Sequence, residues 1–512
     1  MFVRRKKNAS GKVSVQLIEK VGRSNRLVET LGCSKDSVEV DRLVALGREK
    51  IRRKQAQLAM DFNRSEAQIT QFLQSIHRIE PSGIEELVGK AFDRIGFQEL
   101  QDEMFRTLVI ARVVRPTSKL GTVDYLRREL GKVVEPDSIY RYLDKLEDKL
   151  KYRVHDIAFK HTKALSGGKV GVVFYDVTTL YFEAERADDF RIPGFSKDGK
   201  AQNPQIVLGL LVGAQGTPLA YEIFKGNQFE GRTMIPVLEV FAKRFRLSKP
   251  VVVADAGLMS KENIAELERL GYHYILGARI KNMDAQASKL ALSLRRLDGK
   301  SEEFNLTDAK RLIVHYSAKR AKKDSHNRER GLSKLEKDVA SGRLTKEHLT
   351  NRGYKKFLSL KGETKIKVDR AKIKEAERWD GLKGYLTNTT LAKEEVMTAY
   401  RELWQIERSF RVTKSDLAAR PIYHRLERRI RAHVCLCFAA LKVHKELERL
   451  LKVKGCPWSV IESIEIAKTI KTIHGIVPET GKVIEYMLIN TEEQAELAER
   501  MDFDIKNSIG NL

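Results

Sequence analysis

Five short apolar runs between residues 170 and 278 constrain the fold of this chain more than any other feature. Val170-Gly-Val-Val-Phe-Tyr175, Gln205–Val212, Leu219–Phe224, Val251–Ala254 and Tyr272–Ala278 are rich in β-branched and aromatic residues, and such runs form buried strands. The first three are linked by loops or by a turn containing Gly216, which suits antiparallel neighbours. Thr233–Phe245 and Lys261–Leu270 carry helical periodicity and separate the last strands, which suits parallel crossovers. The predicted fold class is α/β, a mixed sheet with helices on both faces, in the order three strands, helix, strand, helix, strand.

Two aspartates break this apolar texture. Asp176 interrupts Val172–Phe182, although aspartate is a poor strand former and is rarely buried without a partner. It could be a turn residue at a strand end, but residues 177–182 continue the β-prone pattern past it. Asp255 ends the run Val251-Val-Val-Ala-Asp255. Its alternative duty is to cap the following helix, for which Ser260 is better placed. Both aspartates are read as strand-end residues, where ligand sites gather in α/β sheets. A third acid, Glu407, falls on a long predicted helix, Ala392–Leu417. Steps of seven residues put Tyr400, Glu407 and Lys414 on one helical face, with Leu403, Ile406 and Phe410 as the docking stripe. The plainer fate for Glu407 is a solvated pair with Arg411 one turn on, a contribution of only a few tenths of a kcal/mol.

Charge narrows the partners. Lysine and arginine number 95 against 69 acidic residues, a net charge of +26, and this excess requires an acidic partner, nucleic acid first and a membrane surface second. Ala432–Leu441, the longest apolar run near the C-terminus, is about half of a spanning helix, so no membrane partner is expected. The basic start Met1–Lys7 lacks the apolar centre of a signal peptide, giving a cytoplasmic, DNA-associated address. Four cysteines, Cys33, Cys435, Cys437 and Cys456, do not make a disulfide framework. Gly194–Lys200 matches much of a phosphate-binding loop, but Ala201 follows it and it leads into a strand, so no nucleotide cofactor is expected. Lys197 and Lys200 are candidates for DNA phosphates instead. Eight arginines fall between Arg401 and Arg431 and suggest a phosphate-binding track beside Glu407.

At 512 residues the chain holds several folded units. Residues 1–60 form a small basic N-terminal region, and residues 61–165 a helical region. There Val123–Leu130 and Ser138–Leu146, around Gly131, fit either a helix-turn-helix or an ordinary helical hairpin. Residues 166–281 and 380–450 form the core, ending in a helix over Tyr423–Leu451. Residues 282–379 form an inserted β-containing subdomain, with one clear strand at Arg311–Ser317, expected to fold back over the face of the sheet that carries the acids. Residues 451–512 are a C-terminal region of mixed character. Trp379 could stack on DNA bases, whereas Trp404 is assigned to core packing.

Tyr175-Asp-Val-Thr-Thr-Leu-Tyr181, Asp255-Ala-Gly-Leu-Met-Ser260 and the spacing Tyr400-(6)-Glu407-(6)-Lys414 resemble the three acidic motifs of DDE transposases of bacterial insertion sequences. The branch they resemble is the insertion-sequence-four superfamily, over roughly residues 105–445. The resemblance implies a ribonuclease H-like catalytic core, consistent with the strand order above, with a β-rich insertion before the catalytic glutamate. It implies that Asp176, Asp255 and Glu407 are catalytic and hold two Mg²⁺ (or Mn²⁺) ions, with Tyr400 and Lys414 at the DNA backbone. The family's third motif has an arginine where this chain has Leu403; Arg408, or else Arg401, is expected to replace it, with Arg411 as a further DNA contact. The implied activity is cleavage at insertion-element ends followed by 3′-OH strand transfer into target DNA, by a homodimer on the DNA. Three carboxylates suit this chemistry, because Mg²⁺ prefers oxygen ligands and keeps open positions for substrate phosphate. The rivals are a nuclease or resolvase on the same core without strand transfer, and a catalytically inactive, transposase-derived DNA-binding protein.

Overall fold

The structure is a computed structural model that describes all residues except 23, 57–63, 147, 185, 197–198, 246–248, 342, 345–349, 351–352, 362–364, 478–479, 506 and 511–512. It divides into two compact units, one of Met1–Leu150 with Ala432–Leu512 and the other of Lys151–Arg431.

The second unit is built on the predicted strands: β1 (Val172–Tyr181), β2 (Gln205–Val212), β3 (Pro218–Lys225), β4 (Val251–Ala254) and β5 (Tyr274–Ala278). β1 pairs antiparallel with β2, and β2 with β3. β4 is parallel to β1, and β5 to β4. The spatial order β3-β2-β1-β4-β5 is the ribonuclease H-like arrangement. β2 is buried along its whole length, as a central strand covered on both faces should be. The helices α1 (Met234–Phe245) and α2 (Lys261–Arg269) make the parallel crossovers. Ser260 caps α2 by accepting from the Asn263 amide at 3.1 Å, the role its position suggested. Val237, Leu238 and Phe241 of α1 and Ile264 and Leu267 of α2 pack with Val173, Tyr175, Val252 and Ala254 in one buried cluster. That cluster fixes one face of the sheet as core.

The sheet does not stop at β5. Beyond α3 (Ala285–Ser293) come β6 (Ser301–Thr307), β7 (Lys310–Tyr316) and α4 (Ala318–Ala340), and later β8 (Leu382–Thr387). β8 pairs with β5, β7 with β8 and β6 with β7, all antiparallel, completing eight strands. The first strands of the segment expected to form a separate lobe over the catalytic face thus extend the sheet at its edge. The physical reason is that β5 would otherwise expose a row of unpaired backbone groups. The rest of the segment, with strands Leu358–Lys361 and Lys365–Val368 and helix Arg370–Glu377, has a small core of Leu332, Leu335, Phe357, Leu358 and Ile373. A backbone bond from the Ser317 amide to the Gly381 carbonyl, 3.0 Å, closes the excursion at its base.

The long helix expected over Ala392–Leu417 is not continuous. It is divided into α5 (Lys393–Arg401) and α6 (Trp404–Arg411), and a π-helical turn, Val412–Asp416, follows. α5 lies against β4, β5 and β8, while α6 lies against β1 and the β2–β3 turn. A straight rod cannot follow a twisted sheet across that distance. The break lets Val396 and Tyr400 bury on one part, and Ile406 and Phe410 on the other. At the turn, Gly216 has φ +70° and its carbonyl accepts from the buried Ser409 hydroxyl at 3.2 Å.

The first unit contains a three-stranded sheet, Phe2–Lys7, Val13–Val21 and Ser24–Ser34, with helix Ser37–Ala56. A second sheet joins Arg78–Glu80 to the C-terminal strands Lys471–Ile476, Val483–Leu488 and Asn507–Gly510. The predicted helical pair is present as Lys119–Leu130 and Pro136–Lys145, with Gly131 left-handed at the C-terminus of the first. The last long helix is Glu427–Val453, starting four residues later than expected. Among the described residues no helix is long and apolar enough to cross a membrane.

Candidate active site

Tyr175 opposite Ala254 is the last registered pair between the parallel strands β1 and β4. The next residue along each is an aspartate, Asp176 and Asp255. Side chains alternate along a strand, and Tyr175 and Ala254 point into the core cluster, so the Asp176 carboxylate belongs to the opposite face, and Asp255 follows at the end of a strand about 4.8 Å away. Asp176 does not end its strand, as the sequence suggested; it sits within β1, opposite Leu210 of β2. Asp255 lies just past the end of β4, exposed, and its Oδ1 accepts from the amides of Gly257 at 2.8 Å and Leu258 at 3.3 Å. This aspartate therefore has a structural duty that the sequence reading did not assign, and it holds the carboxylate in one orientation. Its Oδ2 makes no hydrogen bond among the described residues.

The same row continues across the sheet. One step beyond the Ala254–Leu276 pair lies Gly277 of β5, and Gly277 is paired with Tyr385 of β8. Gly277 is required by close approach: a Cβ there would stand 2.3 Å from the Tyr400 hydroxyl and 3.0 Å from the Ala256 amide nitrogen. The Tyr400 ring fills the space over that glycine, 4.9 Å from the Tyr385 ring at 63°. The Lys383 ammonium lies 4.4 Å from the centroid of Tyr400 and 5.4 Å from that of Tyr385. Burial raises the Tyr400 pKa, and the Asp255 carboxylate, then Tyr385 and Glu407, push the same way.

Glu407 is exposed on α6 and makes no ion pair or side-chain hydrogen bond among the described residues, Arg411 included. No group of three or more His, Cys, Asp or Glu is gathered tightly enough to enclose a metal among the described residues. The donor chemistry nevertheless fits Mg²⁺, which is usually held by one or two carboxylates together with water and substrate phosphate. Asp176 and Asp255 provide such a pair, with Glu407 on the helix packed against β1.

The other candidates are dispersed. Lys414 is half-buried within the π-helical turn. Arg408 lies over the Trp404 ring at 5.9 Å, and Arg401 and Arg411 are exposed. Lys200 and Arg420 each stand 5.5 Å from the Tyr181 ring; Lys197 lies outside the described residues. Arg431 is bonded to Glu427 at 2.6 Å. The two tryptophans reverse their expected places. Trp404 is 46% exposed, whereas Trp379 is 8% exposed and packs with Leu312 and Leu382. Trp404 sits one position off the stripe formed by Leu403, Ile406 and Phe410, which is enough on a short helix to turn it outward. Gly277, Lys383 and Tyr385 were missed by sequence reasoning, because only the strand register shows that they adjoin the acids.

The chain matches the family model of the transposase DDE domain over residues 168–442. No curated protein is similar to it. Among solved structures, a cryo-EM structure of the piggyBac transposase synaptic complex with hairpin DNA is 11% identical, with a TM-score of 0.37, covering 75% of this chain and 76% of that one. The Mos1 transposase paired-end complex with the left transposon end is 12% identical, with a TM-score of 0.16, covering 31% and 53%. Both likenesses are too slight to bear on the chemistry. The family match takes in more than half of the chain, from the approach to β1 into the helix Glu427–Val453, and with it all three acids; this chain belongs to the transposases with a DDE domain.

Proposed function

We propose that the chain is a DNA transposase of the insertion-sequence-four type, cutting DNA at the ends of its element and joining the freed 3′-OH strand to target DNA. Asp176, Asp255 and Glu407 are its catalytic carboxylates, and double-stranded DNA, bound by a homodimer, is its substrate. The observation that carries this reading is the placement of Asp176 and Asp255 one step beyond the last registered pair of adjacent parallel strands. Glu407 joins them from the helix that packs on β1.

Bound Mg²⁺ or Mn²⁺, as two ions, would supply activation of the attacking oxygen and stabilisation of the leaving 3′ oxygen. The protein's part is to hold the acceptor groups in place. The Gly257 and Leu258 amides fix the Asp255 carboxylate, and the strand fixes Asp176. Lys414, Arg408, Arg401, Arg411, Lys197 and Lys200 are proposed to meet DNA phosphates, which position the duplex without reading its sequence. Tyr400 is proposed to act at the backbone through its hydroxyl.

The test mixes the protein with duplex DNA from the ends of the element that encodes it, target DNA and Mg²⁺. Wild type is expected to nick the ends and yield joined products, and Asp176→Asn neither. Cleavage without joining would instead identify a nuclease or resolvase. Binding with neither product in the wild type would identify an inactive DNA-binding protein.

A further inference from the structure

Lys383 is the least expected charge near the acids. It lies on β8 two residues before Tyr385, hence on the same face of the sheet as the row that contains Asp176 and Gly277. Its ammonium rests over the Tyr400 ring at 4.4 Å, and Tyr400 itself is held over Gly277. A lysine is normally a mobile point charge on a flexible stem; here two aromatic faces define where the charge sits. Among the described residues no carboxylate forms a salt bridge with Lys383 or with the exposed Arg401. Among the described residues, Arg320, at the first turn of α4, has Asp324 at 3.7 Å as its ion-pair partner.

The surroundings of Lys383 are themselves cationic. Burial lowers its pKa; Arg320 and Arg401 act in the same direction, and Glu407 opposes them. His315, its register partner on β7, also has a lowered pKa, from burial and then from Arg401, so it favours the neutral form beside Lys383. An ammonium held over two aromatic rings, with no salt bridge of its own among the described residues and with the influence of Arg320 and Arg401 exceeding that of Glu407, is a site for an anion. β8 stands two strands beyond β4, about 10 Å across the sheet. An anion there is beside the one at the carboxylates and distinct from it.

We propose that Lys383, seated on Tyr400 and supported by Arg320 and Arg401, binds a phosphate of the DNA strand next to the phosphodiester held at Asp176 and Asp255. Lys383 is a positioning residue. The inference rests on the transposase reading, but it can fail separately.

The experiment compares wild type, Lys383→Met and Lys383→Arg for binding to element-end duplex across salt, and for end cleavage in Mg²⁺. One phosphate contact contributes about 0.9 to the log–log salt slope, so between about 50 and 200 mM salt Lys383→Met should lose roughly 3.5-fold less affinity than wild type. Its cleavage rate should fall, and Lys383→Arg should restore both slope and rate. In wild type, the Lys383 amine should also lose reactivity towards an amine-modifying reagent when the same duplex is added; this holds even if Lys383→Met does not fold. An unchanged slope in a folded Lys383→Met, no recovery in Lys383→Arg, or unchanged amine reactivity overturns the proposal. Wild type that binds the duplex but never cleaves it overturns the transposase reading instead, while the amine protection still reports on Lys383.

Discussion

Replacing Gly277 by alanine tests the geometry of the site most directly. The added carbon would lie 2.3 Å from the Tyr400 hydroxyl oxygen, 3.1 Å from its Cζ and 3.0 Å from the Ala256 nitrogen. Carbon and oxygen do not approach so closely, so the ring must move. It has little room to do so, with Tyr385 on one side, Lys383 over it and the sheet beneath. Inserting a methyl into so confined a place costs about 1–3 kcal/mol. Most of that cost should come from the hydroxyl, the nearer atom by 0.8 Å. Tyr400→Phe removes that oxygen and leaves the ring carbon at 3.1 Å and the Ala256 nitrogen at 3.0 Å, contacts that are tight but need shifts of only a few tenths of an ångström. A double-mutant cycle of Gly277→Ala and Tyr400→Phe, followed by thermal unfolding, should show a favourable coupling of about 1 kcal/mol or more. Additive effects of the two substitutions, or wild-type stability in Gly277→Ala, would refute the placement of Tyr400 over Gly277.

Three further outcomes follow from the same structure. Asp176→Asn should abolish end cleavage yet leave DNA binding largely intact, because it removes a carboxylate charge and none of the basic residues; loss of binding in parallel with cleavage would count against that division. Arg408→Ala should flatten the salt dependence of end binding by roughly one phosphate with little effect on unfolding, and an unchanged slope would transfer that role to Arg401. Lys442, 0% exposed in helix Glu427–Val453, has its pKa lowered to about 7 by burial against the opposing influence of Glu446. The folded state therefore sheds this proton near pH 7 and the unfolded chain keeps it to about 10.5, so stability should rise with pH across that window. Lys442→Met should flatten the rise, as read from denaturation midpoints at each pH.

The strands of the core were legible where apolar runs end abruptly. β2 and β4 occupy Gln205–Val212 and Val251–Ala254, the residues that the runs themselves mark. β1 was truncated in the sequence reading because Asp176 looks like an interruption, whereas pairing with Leu210 carries the strand through it to Tyr181. The break between α5 and α6 has no local signal, since neither glycine nor proline lies at Glu402–Leu403; tertiary docking imposes it. With the break, the counting that put Tyr400, Glu407 and Lys414 on one helical face loses its basis. α4 was missed because only Leu332 and Leu335 among its 23 residues are buried, too thin a stripe to show helical periodicity. The acids could be named from their motifs. Their neighbours could not, because Gly277, Tyr385 and Lys383 become neighbours only when β5 and β8 pair.

The bond between Ser317 and Gly381 has a consequence for how this chain can vary. Residues 318–380 leave the sheet at the end of β7 and return at the start of β8, and these two strands pair from Tyr316–Leu382 onward. The path is a greatly enlarged hairpin loop with its mouth stitched shut. Each doubling of such a loop costs only about 0.6 kcal/mol in closure entropy. Beyond the first turn of α4, which carries Arg320, this excursion can lengthen, shorten or be exchanged without shifting the strands that carry Asp176 and Tyr385 or the one that ends at Asp255. Related chains should therefore differ most in length here, and grafted domains should be best tolerated here.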